Sequence, residues 1–307
     1  MDLGPILATL PEWMVWDATA PEQVAERLAG VQLVLSNKVA IRAEHLHEAS
    51  SIKYIGILAT GTNNVDVPAA AARRVSVSNV RDYSTDSVVQ HTLMLILALA
   101  GNLPSYASKA TRSAWKDSPF FCYFGRPVVE LKDKHLTIVG YGSQGKKLAA
   151  LAQGLGMVVH IARRPGAESG AASSGDRLPL DELLPITDVL SVHCPLTEAT
   201  TNLLNFDTIF KLKKGALVIN CARGGLINEE ALAAALASNH LGGAAVDVLT
   251  VEPPPAHHPL LQVDHPNFIL TPHIAWGSLE SRQRLIAEAA QNVSAFVKGE
   301  RRNLVQG

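Results

Sequence analysis

The chain has 307 residues, 47% hydrophobic and 18% charged, with 27 Lys and Arg against 28 Asp and Glu. An apolar-rich chain of this length excludes disorder and suggests about two domains, at roughly 100–200 residues each. A formal net charge of −1 supplies no field to draw in a phosphate backbone, so no nucleic-acid partner is expected.

The longest apolar run, residues 93–100, has 8 residues. Crossing a bilayer takes about 20, so no membrane partner is expected either. The N-terminus shows neither the basic start nor the apolar stretch of a secretory signal. Cys122, Cys194 and Cys221 are odd in number and far apart, which argues against a disulfide framework. The expectation is a cytoplasmic protein with a large core, with the cysteines as small packing residues and no metal site.

Residues 32–36 read as a short buried strand and 52–59 as another, followed by the turn Thr60-Gly61-Thr62-Asn63-Asn64. An alanine-rich helix at 67–73 and a strand at 75–78 continue the alternation, which implies βαβ units and a parallel sheet. A long helix at 86–100 follows, with Ser84 or Thr85 and then Asp86 at its start and Gly101-Asn102 at its stop. It is apolar nearly all round, which suits a core helix or one lying at a domain or subunit interface. Residues 107–126 read as irregular and aromatic, with Trp115, Phe120, Phe121, Tyr123 and Phe124. A cleaner alternation then begins. Strands are predicted at 135–139, 157–162, 187–193, 216–220, 244–248 and 268–271, and helices at 146–155, 206–212, 229–238 and 279–297. Six strands suit a complete doubly wound nucleotide domain. Residues 166–175 read as a flexible surface loop by composition.

Gly140-Tyr141-Gly142-Ser143-Gln144-Gly145 is a G-x-G-x-x-G between a predicted strand and a predicted helix. In that context it marks a dinucleotide site. Gly140 permits the tight turn, Gly142 lets the backbone approach a pyrophosphate, and Gly145 lets helix and strand pack closely. The pyrophosphate then sits at the positive end of the helix. About 20 residues on, such sites carry an acid that bonds the ribose 2′-hydroxyl. Here the strand ends in Arg163-Arg164-Pro165. A carboxylate would repel a 2′-phosphate and a guanidinium binds it, so NADP(H) is expected over NAD(H), held by Arg163 and Arg164. Arginine alone leaves NAD(H) possible.

Three more segments follow predicted strands: Asn220-Cys221-Ala222-Arg223-Gly224, Asp247 to Glu252, and Thr271-Pro272-His273-Ile274-Ala275-Trp276. Strand C-terminal ends of an open parallel sheet face one crevice, so Arg223, Glu252 and His273 are expected to converge there.

With these motifs the chain resembles the D-isomer-specific, NAD(P)-dependent 2-hydroxyacid dehydrogenase family. The resemblance also rests on residues 59–66 (Ala-Thr-Gly-Thr-Asn-Asn-Val-Asp), Tyr83 to Val88, and His193-Cys194-Pro195-Leu196-Thr197. It implies an α/β fold of two Rossmann-like doubly wound parallel-sheet domains with a cleft between them. Residues 1–102 plus 283–307 would form the substrate-binding domain, and 103–282 the NAD(P)-binding domain. It also implies a homodimer built mainly on the nucleotide domains. His273 would be the general acid for a carbonyl that receives a hydride, and the base in reverse. A Glu252 carboxylate bonded to the imidazole would favour its cationic form. Arg223 would bind the substrate carboxylate and polarise the carbonyl. Backbone N–H groups of Thr60, Gly61 and Thr62 would hold that carboxylate as well. Asp247 would contact the nicotinamide amide, Cys221 and Ala222 the nicotinamide ribose, and His193, Cys194, Pro195, Leu196 and Thr200 the adenosine and phosphates.

Within the family, Ser36-Asn37-Lys38, Ala59-Thr60-Gly61, Phe120-Phe121-Cys122-Tyr123 and His273 to Trp276 look most like the glycerate dehydrogenase and hydroxypyruvate (glyoxylate) reductase branch. That branch reduces hydroxypyruvate to D-glycerate and glyoxylate to glycolate. Trp276 would wall the substrate site, or pack in a core. Arg81, Gln90 and the Arg163-Arg164 pair depart from the family pattern. A bulkier 2-oxoacid, or a silent dinucleotide-sensing protein, are the alternatives. A formate oxidiser would carry Gln where Glu252 stands. Only about ten residues follow the closing helix, which disfavours the phosphoglycerate branch with its C-terminal sensing domains.

Overall fold

Short runs of branched apolar residues build nine strands among the described residues, paired into two parallel sheets. The computed structural model describes residues 1–164, 166 and 177–305. Pro165, the 167–175 part of the loop read from composition, and residues 176, 306 and 307 lie outside the described residues. No helix among the described residues is long and apolar enough to cross a membrane. The chain divides into one unit of Met1–Ser84 with Trp276–Gly307 and another of Thr85–Ala275.

In the first unit, β1 (Leu33–Ser36), β2 (Tyr54–Ile57) and β3 (Ser76–Ser78) lie side by side in chain order. The central strand β2 is wholly buried. Ile55, Ile57 and Val77 pack with Ile41, Leu46 and Val65 in one core. The helices Ala43–Glu48 and Val67–Ala72 make the crossovers. Asp66 caps the second, its Oδ1 accepting from the Ala69 N–H at 3.0 Å. The closing helix Leu279–Val297 returns to this unit. Its Leu285, Ile286 and Ala289 share a buried cluster with Ile6, Val80 and Tyr83, and Phe296 lies 4.7 Å from the Tyr54 ring.

The second unit holds β4 (His135–Val139), β5 (Val158–Ile161), β6 (Val189–Val192), β7 (Leu217–Asn220), β8 (Gly243–Val246) and β9 (Phe268–Leu270). Their order is β5-β4-β6-β7-β8-β9, all parallel. The winding reverses at β4, so the topological switch point lies between the C-terminal ends of β4 and β6. Strands β6, β7 and β8 are buried along their whole length, as expected of a parallel sheet covered on both faces.

Two differences from the sequence reading have clear causes. The helix Thr85–Ala100 packs Val88, Val89, Thr92, Leu95, Ile96 and Leu99 against β7, β8 and the helix Ser143–Gly154. It therefore belongs with the second unit, and the divisions fall after residues 84 and 275 rather than after 102 and 282. Residues 107–126, read as irregular, contain the helix Lys109–Lys116, started by Ser108, whose Oγ accepts from the Thr111 N–H at 3.1 Å. None of its residues is buried, so no apolar stripe announced it.

Candidate active site

The glycine loop lies at the switch point. Gly140 has φ +104°, and a Cβ there would come 2.5 Å from the backbone of His193 and Cys194. A Cβ on Gly145 would sit 2.2 Å from the Gly140 carbonyl oxygen. Both glycines are thus demanded by the protein's own packing. Gly142 is different, because a Cβ there would meet nothing within 4 Å. It is the N-cap of the helix Ser143–Gly154 and offers no side-chain cap. The unfilled space at Gly142, the amides of Ser143 and Gln144, and the positive helix end form a cradle that fits a pyrophosphate.

Arg163 and Arg164 follow β5, the first half-buried and the second exposed. The Arg163 N–H donates to the Leu178 carbonyl at 2.7 Å, which brings the chain beyond the 166–175 loop back beside β5. Arg177 thereby reaches Tyr141 of the glycine loop, its guanidinium 5.7 Å from the ring centre. Sequence reasoning missed this third arginine, because it stands after the loop and not after a strand.

At the end of β6, His193 Nε2 pairs with Ser191 Oγ at 2.8 Å, while its Nδ1 is buried without a hydrogen-bond partner. Burial pulls its pKa down to about 4, so the ring is neutral near pH 7. Thr200 is buried and ties its own loop, donating to the Pro195 carbonyl at 2.7 Å and accepting from the Thr197 N–H at 2.7 Å. Its hydroxyl shapes the loop that carries Cys194 and Pro195. Burial pushes the Cys194 thiol up to about 11 and that of Cys221 up to about 12. Cys122 is only half-buried, unlike the packing residue expected.

Three loops carry the proposed catalytic set. After β7, Asn220 shapes the turn, accepting from the Ala222 N–H at 3.0 Å and donating to the Arg223 carbonyl at 2.8 Å. Arg223 is left exposed. A Cβ on Gly224 would come 2.0 Å from Leu249, so this loop lies directly on the loop after β8. There, Glu252 Oε1 accepts from the Leu249 N–H at 2.8 Å, and its Oε2 pairs with His273 Nδ1 at 2.5 Å. Glu229, also missed from sequence, braces the same loop, accepting from the Thr250 N–H at 2.8 Å while facing His258 at 3.0 Å.

His273 has φ +54° in the loop after β9, a conformation costly for a residue with a Cβ. Asp247, 1% exposed, holds that loop. Its Oδ1 accepts from Thr271 Oγ1 at 2.5 Å and the Ile274 N–H at 2.9 Å, and its Oδ2 from the Ala275 N–H at 2.8 Å. Both oxygens of Asp247, given a nicotinamide contact by the resemblance, are thus engaged by the His273 loop.

In the first unit, Thr60 Oγ1 donates to the Val80 carbonyl at 2.9 Å, and the Thr60 carbonyl accepts from Asn79 at 2.7 Å. These bonds fix the turn that carries Gly61 and Thr62. Trp276 packs edge-on to Tyr83, ring centres 6.4 Å apart, at the margin of that unit's core.

Residues 93–275 match the family described as D-isomer specific 2-hydroxyacid dehydrogenase, NAD binding domain. A glycerate dehydrogenase of Methylorubrum extorquens is 38% identical over 296 residues, 96% of this chain and 92% of that one. A hydroxypyruvate reductase of Blautia hydrogenotrophica is 35% identical over 305 residues, 97% of this chain and 93% of that one. The solved structure of an acyclic imino acid reductase (Bsp5) in complex with NADPH and D-Arg has a TM-score of 0.81 at 25% identity, covering 95% of this chain and 91% of that one.

Proposed function

Because this chain belongs to the D-isomer specific 2-hydroxyacid dehydrogenases, we propose that it reduces small 2-oxoacids with NADPH, hydroxypyruvate to D-glycerate and glyoxylate to glycolate. The observation that carries the chemistry is the 2.5 Å pair of His273 Nδ1 and Glu252 Oε2 on loops of the sheet edge that carries the glycine cradle. The names of the two curated relatives support the choice of substrate.

Gly140, Tyr141, Gly142, Ser143, Gln144 and Gly145 would hold a nicotinamide dinucleotide, which would supply the hydride. His273 does the proton work. Glu252 takes the Nδ1–H, so Nε2 is the nitrogen that gives a proton to the carbonyl oxygen and recovers it in reverse. The Glu252 carboxylate stabilises the imidazolium charge and holds the ring plane. Arg223 binds the substrate carboxylate and draws electron density from the adjoining carbonyl. In the first unit, the amides of Thr60, Gly61 and Thr62 suit a carboxylate in the same way, and Trp276 flanks that role. Cys194 and Pro195, with Cys221 and Ala222, would line the dinucleotide through their backbones, with His193 beside Cys194.

The cofactor preference rests on Arg163 and Arg164 standing where an acid would repel a 2′-phosphate, with Arg177 as a third guanidinium by Tyr141. The exposed rings of Phe120, Phe121 and Phe124 support a homodimer. Three free cysteines suit the reducing cytoplasm.

The test is initial-rate measurement of hydroxypyruvate and glyoxylate reduction with NADPH and NADH in parallel. Faster turnover with NADPH is expected, along with loss of turnover but not of cofactor binding in His273→Ala. Arg163→Ala with Arg164→Ala should weaken NADPH far more than NADH. Turnover only of a bulkier 2-oxoacid would overturn the substrate, and equal loss for both cofactors would overturn the 2′-phosphate assignment.

A further inference from the structure

The loop of the proposed proton donor is held by the Asp247 carboxylate, and that carboxylate has a neighbour the reaction does not use. His91, on the helix Thr85–Ala100, is 13% exposed. Its Nε2 lies 3.2 Å from Thr271 Oγ1 and 3.8 Å from Asp247 Oδ1. The donor directions follow from chemistry. As a carboxylate, Asp247 only accepts, so the Thr271 hydroxyl donates to it. That leaves the Thr271 oxygen to accept, and His91 must present its proton on Nε2. Burial pushes the His91 pKa down while the Asp247 charge opposes this, so the neutral ring suffices for this role.

The same helix face makes a further tie. One turn before His91, Ser87 Oγ donates to the Ala275 carbonyl at 2.7 Å. The helix therefore meets the His273 loop on both sides of the histidine, at Thr271 and at Ala275.

We infer that His91 is a positioning residue for the proposed proton donor, acting through the relay His91 Nε2–H to Thr271 Oγ–H to Asp247. The relay fixes the orientation of the Asp247 carboxylate. That carboxylate in turn holds the Ile274 and Ala275 amides and so keeps His273 in its left-handed conformation. This inference rests on the reading of His273 as the acid. His91 itself touches neither substrate nor cofactor in this account.

The test compares His91→Leu, which keeps the bulk and removes the donor, with His91→Gln, which keeps an N–H at similar reach. Thr271→Val breaks the relay at its middle with little change of shape. Expected is a fall in kcat of roughly 10- to 100-fold in His91→Leu and in Thr271→Val, the scale of a misplaced catalytic group. NADPH binding, followed by nucleotide fluorescence, should stay at the wild-type level in both, which also reports that they fold. His91→Gln should recover most of kcat, and the double variant should lose no more than either single one, because both cut one chain. Wild-type kcat in both single variants, additive losses, or a Gln variant as poor as Leu would each overturn the relay. His273→Ala separates the two levels. If it is inactive while His91→Leu is normal, the relay falls and the acid stands. If it turns over normally, the reading of the acid falls first.

Discussion

His193 and His273 end up in opposite electrostatic settings although both stand at strand ends of one sheet. His273 faces Glu252 across 2.5 Å, whereas His193 faces a serine hydroxyl and keeps a buried Nδ1 without a hydrogen-bond partner. Stability should report that difference. The folded His193 takes a proton only near pH 4, while the unfolded chain takes it near 6.5. Between those values the unfolded state binds more protons, so stability is full above pH 6.5 and falls as the pH drops towards 4, by about 3 kcal/mol in all. Urea midpoints measured at pH 7 and pH 5 should therefore differ less in His193→Gln than in the wild type. An identical drop in both would remove His193 from the acid sensitivity. Residues of this kind were only half legible. The proposed catalytic set of Arg223, Glu252 and His273 stands in the loops after β7, β8 and β9, where a linear reading looks for it. His91 and Glu229 sit a helix face or a loop away, and only tertiary placement brings them to the loops they brace.

At the scale of elements, the glycine loop separates what the fold needs from what the ligand needs. Gly145 would place a Cβ 2.2 Å from the Gly140 carbonyl, so Gly145→Ala must push the helix Ser143–Gly154 off β4. Overpacking of that kind costs about 1–3 kcal/mol, which chemical denaturation would read directly. Gly142→Ser should behave in the other way. The residue has φ −83° and ψ −158°, ordinary extended values, and serine is a good helix N-cap. Stability should hold or rise slightly, while NADPH affinity falls because the hydroxymethyl group fills the cradle. A Gly142→Ser protein that binds NADPH normally would mean that the pyrophosphate lies elsewhere. The strands of the second unit were legible to within a residue or two, because buried parallel strands are continuous apolar runs bounded by turns. The helix Lys109–Lys116 was not legible, because its formation rests on a serine cap and loop contacts rather than on an apolar stripe.

The whole molecule shows its least explained surface in the second unit. Trp115 is 56% exposed, Phe120 73%, Phe121 92% and Phe124 83%. These rings are not on a loose tail. Trp115 Nε1 donates to the Phe121 carbonyl at 3.0 Å, Asn102 Nδ2 to the Pro127 carbonyl at 2.6 Å, and the Val129 N–H to the Ala100 carbonyl at 2.9 Å. The segment is thus pinned to the C-terminal end of the helix Thr85–Ala100, with its aromatic faces turned outward. That helix also leaves Met94 and Leu97 nearly half exposed. Water contact with so many large apolar groups is unfavourable by about 25 cal/mol per Å², and aromatic residues with Met are typical of interface cores. In the proposed homodimer a second copy of the chain, presenting the same surface about a twofold axis, would cover it without requiring any other partner. Sedimentation at micromolar concentration should then give twice the mass of the chain, and Phe121→Asp with Phe124→Asp should give the single mass. The charged side chains would be solvated in the monomer, so its core should be untouched. The monomer should therefore melt cooperatively and keep NADPH binding, since none of the proposed cofactor residues lies on this segment. A wild-type chain that sediments at the single mass would overturn the dimer and leave the aromatic surface for a partner of another kind.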